Sequence, residues 1–561
     1  MLKLKPFSWL ILLTTFFVSN DIEAQNTNFQ WVKNYSGVFD LQSMALRIDT
    51  DQDGNVYTIS QAYGDTQFDT VSFSPNIYNY SIVCKHDEYG NQLWAKQFDS
   101  DGGLSLTELK IDSYGNCIIT GYYKGNADFN PGPGSYILNA GTDSNGFVLK
   151  LDSEGNFIWI KEFEGNSKLM HLTLDHNGDY IVSGVFNGIV DCDPNTGVSN
   201  LTSTINATFL CKLDTGGAFQ WANKIEAAYI AFSFWEISVD TDNNIYSWGW
   251  QFASTDLNPG AGVDSFSFYG SHAHKFDQNG DLVWVKGIES TTLSLAVDSS
   301  GNSYHAMQLR DSTDVDPNAG QVMLDSANGA LAIVKLDMNG DYLWSKQFKY
   351  SVYDWVHLRT DNEGALYING NFGGTRDFDP STAVVSATAG SNHDVFMCKL
   401  NASGSFLWLR QYLGTPNTWN GSLDTYIDEN LDIYSIGYFD SLVDFDYGYN
   451  GYNVPIEGNN MNVYVMKLGQ DNFPVGLNDF ESNVALNMFP NPTNGEFQIL
   501  LKEECEFLKI SIYSITGQLL SAEKFHNTDR ILFNLAGKAG TYILKIENDL
   551  GEVTQVKILK E

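Results

Sequence analysis

Five titratable side chains stand at equivalent positions of a repeated unit, four residues before the aspartate of a turn. They are Glu108, His171, Glu236, His357 and Asp424. Two imidazoles and three carboxylates that face one channel could bind a metal ion or act as a general acid and a general base. Polar side chains on the wall of a water-filled channel give the same pattern without chemistry. We favour this second interpretation, because no catalytic motif accompanies the five residues.

A second set of carboxylates recurs in a motif of the form Asp-x-Asx, usually followed by proline. Its members are Asp128, Asp191, Asp193, Asp314, Asp316, Asp377, Asp379, Asp444 and Asp446. Gathered on one rim, these side chains would attract Ca²⁺ or a cationic or polyhydroxyl ligand. The alternative is local, since Asp and Asn side chains hydrogen-bond to their own turns and proline fixes φ. Repetition in almost every unit favours the structural role.

One acidic turn departs from the others. Asp49, Asp51, Asp53 and Asn55 alternate in a segment that we expect to be two residues longer than its equivalents. The spacing matches the first half of a calcium loop, in which alternate oxygen ligands converge on the ion. Ser60 stands where a glutamate would complete such a loop. The segment therefore predicts at most a weak Ca²⁺ site, and a solvated acidic turn is the alternative.

The elements that must position these residues repeat along the chain. A tryptophan recurs every 60 to 65 residues, and six of the seven follow a phrase of the type Lys-Leu-Asp-x-x-Gly. The tryptophans are Trp31, Trp94, Trp159, Trp221, Trp284, Trp344 and Trp408. The phrase begins at Lys85, Lys150, Lys212, Lys275, Lys335 and Lys399.

The first and last copies of this repeat are incomplete. Trp31 has no phrase before it, and the final phrase, Lys467-Leu468, has no tryptophan after it. The two fragments add up to one whole unit, which is what a closed β-propeller needs when its N-terminal strand completes the last sheet. Closure also removes exposed sheet edges. We therefore predict seven blades.

Within each unit the apolar residues alternate with a period of two, between turns rich in Gly and Asn. The second unit, for example, predicts strands at 104–111, 117–123, 146–151 and 157–163. Four strands per unit suit a propeller blade, with the first strand lining the channel. The Asp-x-Asx motifs fall between the second and third strands. The predicted fold is all-β, a seven-bladed propeller over 25–470.

The two ends of the chain differ from the repeats. Residues 1–24 combine two lysines, an apolar run of roughly 12 residues and a small-residue cleavage site, which predicts a secretory signal peptide. No other segment is long and apolar enough to span a bilayer, so we expect no transmembrane segment in the mature chain. Residues 471–484 read as a polar linker. Residues 485–561 predict several short strands, which suit a small β-sandwich.

The C-terminal segment resembles a known family. It contains Pro490-Asn491-Pro492, followed in order by Gly495, Gly517, Gly540 and Tyr542. This pattern is similar to the type A C-terminal sorting domain of type IX secretion cargo, found in Bacteroidetes. The resemblance implies Sec export and then delivery by the type IX machinery, which would be the partner of residues 485–561. It implies a location outside the cell or on the outer-membrane surface.

The repeats themselves are similar to SBBP bacterial β-propeller repeats. The resemblance lies in Gly54-Asn55-Val-Tyr57 and in Lys335-Leu-Asp337, which match the two phrases of that family. It implies the fold and little more, because propellers host enzymes, receptors and scaffolds alike.

Charge narrows the partners. With 32 Lys and Arg against 68 Asp and Glu, the net charge is −36, which opposes binding to nucleic acid and to anionic membranes. Cys84, Cys211 and Cys398 occupy equivalent positions of separate repeats, so we expect no disulfide between them. His272 and His274 have no third ligand at a fixed spacing, so we predict no metal there.

These observations favour a secreted or surface-bound protein, monomeric, that acts as a non-catalytic binding or scaffold module. Its ligand would be an extracellular glycan or protein. The only cofactor that the sequence suggests is Ca²⁺. The alternative is an extracellular hydrolase or lyase that acts on glycans or peptides at the channel or rim.

Overall fold

The computed structural model describes most of the chain. The residues described are 27–38, 47–68, 71–73, 80–226, 236–251, 257–258, 270–309, 311–326, 329–348, 356–416, 419–447, 451–456, 461–470, 486–489, 495–514, 519–535, 540–548 and 553–560. Within them every regular element is a β-strand, and the strand pairs are antiparallel. The prediction of an all-β chain is confirmed. Residues 29–470 and 471–561 form two separate compact parts.

Most of the first eighteen strands, all in the first compact part, are four to fourteen residues long. In chain order they are β1 (Thr27–Val38), β2 (Arg47–Thr50), β3 (Val56–Phe68), β4 (Val71–Phe73), β5 (Tyr80–His86), β6 (Gln92–Phe98), β7 (Leu104–Ile111), β8 (Cys117–Tyr123), β9 (Asn126–Asp128), β10 (Ile137–Asn139), β11 (Asn145–Leu151), β12 (Phe157–Phe163), β13 (Ser167–Leu174), β14 (Tyr180–Asp191), β15 (Asn200–Leu213), β16 (Phe219–Glu226), β17 (Ile237–Val239) and β18 (Ile245–Gln251).

The same pattern continues to residue 470. The remaining strands of this part are β19 (Gly270–Phe276), β20 (Leu282–Ile288), β21 (Thr291–Val297), β22 (Ser303–Leu309), β23 (Thr313–Asp314), β24 (Met323–Leu324), β25 (Ala330–Leu336), β26 (Tyr342–Phe348), β27 (Val356–Thr360), β28 (Leu366–Phe372), β29 (Thr375–Asp377), β30 (Ser386–Thr388), β31 (Asp394–Leu400), β32 (Phe406–Gly414), β33 (Asn420–Ile427), β34 (Ile433–Phe439), β35 (Val443–Asp444), β36 (Asn453–Val454) and β37 (Asn462–Gln470).

Most of these strands pair in groups of four, which we call units. Unit 1 is β2-β3-β5-β6, unit 2 is β7-β8-β11-β12, unit 3 is β13 to β16, unit 4 is β17 to β20, unit 5 is β21-β22-β25-β26, unit 6 is β27-β28-β31-β32 and unit 7 is β33-β34-β37-β1. Unit 7 thus takes its fourth strand from the N-terminal end of the described chain. Asn462 Nδ2 donates to Asn34 Oδ1 across this pair at 2.8 Å.

The first strands of the units touch one another in succession. Contacts join β2 to β7, β7 to β13, β13 to β17, β17 to β21, β21 to β27 and β27 to β33, and β33 in turn contacts β2. The succession therefore returns to its starting strand. The apolar cores lie between neighbouring units, where large side chains such as Tyr57, Tyr246 and Tyr304 are fully buried.

The repeated phrase locks each unit to the next. In unit 1, Trp94 Nε1 and Lys85 Nζ both donate to Ser153 O, in the last turn of unit 2, at 3.0 and 3.2 Å. The Lys85 ammonium is buried, but it pairs with Asp51 at 3.4 Å and lies 4.7 Å from the centre of the Tyr57 ring. Equivalent indole bonds join Trp31 to Glu88, Trp221 to Gln278, Trp284 to Met338 and Trp344 to Ala402.

The glycine of the phrase is required for two reasons, its backbone conformation and the close approach of a tryptophan ring. Gly155 has φ +73°, in the left-handed region that favours glycine, and a Cβ there would lie 3.2 Å from the Trp94 ring. The tryptophan of one unit therefore packs flat against the glycine turn of the next unit. This contact explains why the phrase and the tryptophan recur together.

No hairpin turn joins the third and fourth strands of unit 7, because these are β37 and β1, which are not consecutive in the chain. Gln470 takes its place. Its Oε1 accepts a hydrogen bond from Lys399 Nζ at 3.2 Å, and its Nε2 donates to Tyr367 Oη at 2.8 Å and to Leu431 O at 2.7 Å. The indole N–H of Trp408 has no partner within the described residues. A buried glutamine thus replaces one whole hairpin turn.

This difference supplies a matched test of the lock. We expect Trp94→Phe to lower the free energy of unfolding by about 1 kcal/mol more than Trp408→Phe, since only Trp94 loses a hydrogen bond. Urea unfolding of the two variants would measure the difference. Equal losses would show that the indole bond contributes nothing and that packing alone joins the units.

The second compact part is a single antiparallel sheet. Its strands are β38 (Leu486–Phe489), β39 (Glu496–Ser514), β40 (Leu519–Asn534), β41 (Gly540–Asn548) and β42 (Val553–Lys560). The five described strands belong to one hydrogen-bonded sheet, in which β39 and β40 pass through a register shift between Leu500 and Cys505. Residues on both sides of that shift, such as Ile499 and Ile510, share one apolar core. The predicted β-sandwich stays a prediction.

The sorting-signal residues fall partly within this sheet. Tyr542 is buried in its apolar core, Gly540 begins β41, and Gly495 precedes β39 with φ +123°. Pro490, Asn491, Pro492 and Gly517 lie outside the described residues, as do the predicted signal peptide, 1–24, and linker, 471–484.

Candidate functional site

The turn of unit 1 has the same length as the others, so the prediction of a longer turn is wrong. Asp51 N donates to Asn55 O at 3.0 Å, just as Asp112 N donates to Asn116 O in unit 2. Asp51, rather than Asp49, is therefore the turn aspartate. The error arose because three aspartates alternate in this segment and each fits the pattern. Arg47 thus becomes the equivalent of Glu108 in the first strands.

Five charged side chains of the first strands form what we call the first-strand network: Arg47, Glu108, Glu236, Arg359 and Asp424. Arg359 Nη1 bonds to Glu236 Oε1 at 2.9 Å, and Arg359 Nη2 bonds to Asp424 Oδ1 at 2.7 Å. Arg47 Nε bonds to Glu108 Oε2 at 3.1 Å. Two arginines therefore hold three of the five residues that the sequence singled out.

Backbone and hydroxyl groups complete the bonding of these carboxylates. Glu236 Oε2 accepts Ser294 Oγ at 2.8 Å and Leu295 N at 2.9 Å. Asp424 accepts Ile48 N at 3.2 Å and its neighbour Thr425 N at 2.8 Å. Each carboxylate therefore joins the first strand of its own unit to another unit, which is a positioning role.

The two histidines of the set lie beside this network. His171 Nδ1 is 3.7 Å from Glu108 Oε2. Burial would raise the pKa of Glu108, but the Arg47 charge and His171 outweigh it and lower that pKa. Burial lowers the pKa of His357 to about 4, and its Nε2 has no partner within the described residues. The carboxylate at Glu108 is ionised and His357 is neutral at pH 7.

This arrangement does not resemble a poised acid–base pair. The Glu108, Glu236 and Asp424 carboxylates already accept charged donors, and the Ser294 hydroxyl that donates to Glu236 also accepts the backbone N–H of Leu358 at 3.0 Å. Among the described residues, no three His, Cys, Asp or Glu side chains are grouped so that they could hold a metal ion. The sequence analysis named the carboxylates but missed that Arg47 and Arg359 pair with them. Arginine is scarce in this chain, so the presence of two arginines in the first strands was the available signal.

The Asp-x-Asx loops share one internal bonding pattern. Asp128 Oδ1 accepts Asn130 N at 3.0 Å and Tyr136 N at 2.8 Å. The first aspartate of each other described loop accepts the same two amides, two and eight residues on, at Asp191, Asp314, Asp377 and Asp444. These bonds support the local, structural interpretation.

The second aspartates of the loops are engaged as well. Asp193, Asp316 and Asp379 each accept the backbone N–H two residues on, at 2.8 to 3.1 Å. Asp446 instead pairs with the buried Arg410 guanidinium at 3.1 Å. Ligand binding by these loops stays a prediction.

The four oxygen-bearing residues of the calcium candidate serve different neighbours. Asp49 is buried and accepts Ile111 N of unit 2 at 2.9 Å, and burial raises its pKa to about 6. Asp51 binds Asn55 and Lys85, whereas Asp53 is exposed. The Lys85 ammonium already pairs with the Asp51 carboxylate, which a Ca²⁺ ion would need as a ligand. Calcium binding by this turn stays a prediction.

Calorimetry would settle that role. When Ca²⁺ is titrated into the full chain without residues 1–24, we expect no heat from specific binding. We expect Asp51→Asn to lower the free energy of unfolding by about 1–2 kcal/mol, because the buried Lys85 loses its partner. The exposed Asp53→Asn is the control, with a change of about 0.5 kcal/mol or less. A Ca²⁺-dependent gain in stability that Asp53→Asn abolishes would establish the loop as a calcium site.

Two further histidines make folding sensitive to acid. His272 and His305 are buried and line one small cavity, and burial lowers their pKa values to about 3 and about 4. An unfolded histidine has a pKa of about 6.5, so below that pH the unfolded chain binds protons that the folded chain refuses. We expect the free energy of unfolding to fall as pH drops from 7 to 5. His305→Leu should reduce that slope, and an unchanged slope would contradict the assignment.

Comparison with known proteins identifies one segment. Residues 487–561 match the family model described as the secretion system C-terminal sorting domain. An uncharacterised WD repeat-containing protein of Acanthamoeba polyphaga mimivirus is 26% identical over 318 residues, 52% of this chain. The match spans only 19% of that protein's length.

Structural similarity is more distant. A protein of unknown function from Bacteroides caccae has a TM-score of 0.32 and 10% identity, covering 59% of this chain and 89% of that one. A fungal alcohol oxidase of the AA5 family, in complex with copper, has a TM-score of 0.36 and 10% identity, covering 95% and 99%. The sorting domain, by contrast, indicates export through the type IX secretion system to the cell surface or the extracellular space.

Proposed function

We propose that residues 25–470 form a seven-bladed β-propeller that acts outside the cell as a non-catalytic binding or scaffold module. In this proposal residues 1–24 are a signal peptide, 471–484 a linker and 485–561 the sorting unit. Each of units 1 to 7 is one blade, and β1 closes the propeller by completing the seventh. The repeats correspond to the SBBP type.

The observation that carries the proposed fold is the succession of first-strand contacts from β2 through β33 and back to β2. The pairing of β1 with β37 supports it, since a linear array would not unite its two ends. The indole bond from Trp31 to Glu88 adds the same lock between units 7 and 1 that joins other neighbours.

The non-catalytic role is supported by the first-strand network. Its carboxylates lie near the axis of the proposed propeller, where an enzyme of this shape would place its chemistry. They are paired instead with Arg47 and Arg359, which suits a network that holds seven blades together. A scaffold needs such bonds, whereas a hydrolase would need at least one carboxylate free to exchange protons with its substrate.

Turnover assays on panels of polysaccharides and peptides test this function. We expect no hydrolysis or elimination above background by the full chain lacking residues 1–24. The matched variant is the triple substitution Glu108→Gln, Glu236→Gln, His357→Gln, with its fold checked by circular dichroism. If the wild type shows turnover that the folded triple variant has lost, the hydrolase or lyase alternative replaces the scaffold.

A further inference from the structure

Trp419 does not belong to the series of locking tryptophans. It precedes the first strand of unit 7, where the equivalent residues of units 2, 3 and 5 are Gly103, Asn166 and Glu289. Of the tryptophans that the structure describes, it alone is more than a third exposed, at 47%. Unit 7 therefore presents an indole to solvent where these three units have no aromatic side chain.

The indole is held in place by its neighbours. The buried His393 ring stands perpendicular to it, with ring centroids 4.2 Å apart. The backbone N–H of Trp419 donates to Asp440 Oδ1 at 2.9 Å, and the N–H of Asn420 donates to His393 O at 3.1 Å. The His393 ring contact and the backbone hydrogen bonds hold this residue in place before any ligand arrives, which lowers the entropy cost of binding.

A carboxylate lies beside this exposed ring. Asp440 is partly buried. Burial raises its pKa, although the hydrogen bond from the Trp419 N–H acts in the opposite direction. Only its Oδ1 is engaged within the described residues, which leaves Oδ2 for a ligand. The loops that carry Trp419 and Asp440 are kept side by side by pairing of Gly414 with Val443.

We propose that Trp419 and Asp440 form a subsite for a neutral glycan, in which a sugar ring stacks on the indole and its hydroxyls donate to Asp440. This inference rests on the proposed binding function and names its ligand class. An apolar ring beside one placed polar group supplies the two kinds of contact that small-ligand sites combine.

Charge and size favour this ligand over the alternatives. The net charge of −36 opposes uronate or sulfated polymers. A protein partner needs about 800 Å² from each side, whereas the large apolar side chains exposed on this described loop pair are Trp419 and Leu442. A single sugar unit, by contrast, can be bound by one aromatic face and one neighbouring carboxylate, here Trp419 and Asp440.

Titration with defined oligosaccharides tests the subsite. The probes are hexasaccharides of β-1,4-glucan, β-1,3-glucan and α-mannan, with hexagalacturonate as the anionic comparison, added to the full chain lacking residues 1–24. We expect saturable binding of at least one neutral probe, by calorimetry and by tryptophan fluorescence, and none of hexagalacturonate. Trp419→Ala should weaken binding by roughly tenfold or more, while Trp419→Phe, which keeps an aromatic face, should weaken it less.

Two controls separate the possible failures. Tyr114→Ala removes an aromatic ring that is 85% exposed on the turn after β7 and should leave affinity unchanged. The unfolding midpoint of Trp419→Ala should fall only modestly, because about half of the ring is exposed, and circular dichroism should show that the variant is fully folded under the binding conditions. Glycan binding that survives Trp419→Ala overturns this subsite but leaves the binding function standing. Absence of binding to every neutral probe overturns the glycan assignment, and the scaffold role is then judged by the turnover assays.

Discussion

A chain that begins at residue 39, and so lacks β1, is expected to lose its cooperative unfolding and to associate. Without β1, unit 7 keeps three strands and the edge of β37 is left open, and exposed strand edges pair with other chains. Tyr35 is 1% exposed, and loss of one such aromatic side chain costs about 3–5 kcal/mol. Size-exclusion chromatography and urea unfolding of the truncated chain would measure both effects.

A peptide supplied in trans makes this prediction specific. A synthetic peptide of residues 27–38 should restore monomeric elution and raise the unfolding midpoint with the logarithm of its concentration. The matched control is the same peptide with Trp31→Ala and Tyr35→Ala, which keeps the backbone but removes the lock to Glu88 and the buried ring. A truncated chain that unfolds like the full chain would contradict the proposed closure of the propeller by β1.

Much of the fold was predictable because each repeat encodes its pairing locally. Strands at 104–111, 117–123 and 157–163 were predicted with the bounds that the structure shows. Alternation marks which residues are buried, and a turn with glycine fixes the register between adjacent strands. The tryptophan phrase was predictable for the same reason, since its partners lie at one fixed offset in the next unit, as Ser153 does for Trp94.

The site was less predictable, because its contacts are not local. Arg359 meets Glu236 and Asp424, which are 123 and 65 residues away, and no spacing rule says which charges will meet across the first strands. Gln470 was missed for a similar reason. Its role appears only once unit 7 is known to offer Lys399 no turn carbonyl of the kind that Ser153 offers Lys85.

Replacement of Arg359 is the second variant for which we expect a large effect. Arg359→Met keeps an unbranched apolar stem but leaves Glu236 and Asp424 without their shared cation. Breaking a buried ion pair on one side costs about 3–5 kcal/mol, and we expect the low end of that range because 28% of the Arg359 side chain is exposed. Urea unfolding at pH 7 would measure the loss.

Two companion variants decide whether charge is the cause. Arg376→Met removes a guanidinium whose one described bond is to the carbonyl of Thr375, so it should cost about 1 kcal/mol or less. Arg359→Met combined with Glu236→Gln and Asp424→Asn should regain most of the loss, because the neutral amides no longer need a cation. If the combined variant is no more stable than Arg359→Met alone, packing of the arginine rather than its charge stabilises the first strands. The charge network would then not explain why these carboxylates are buried, and the argument for a non-catalytic scaffold would lose its main physical support.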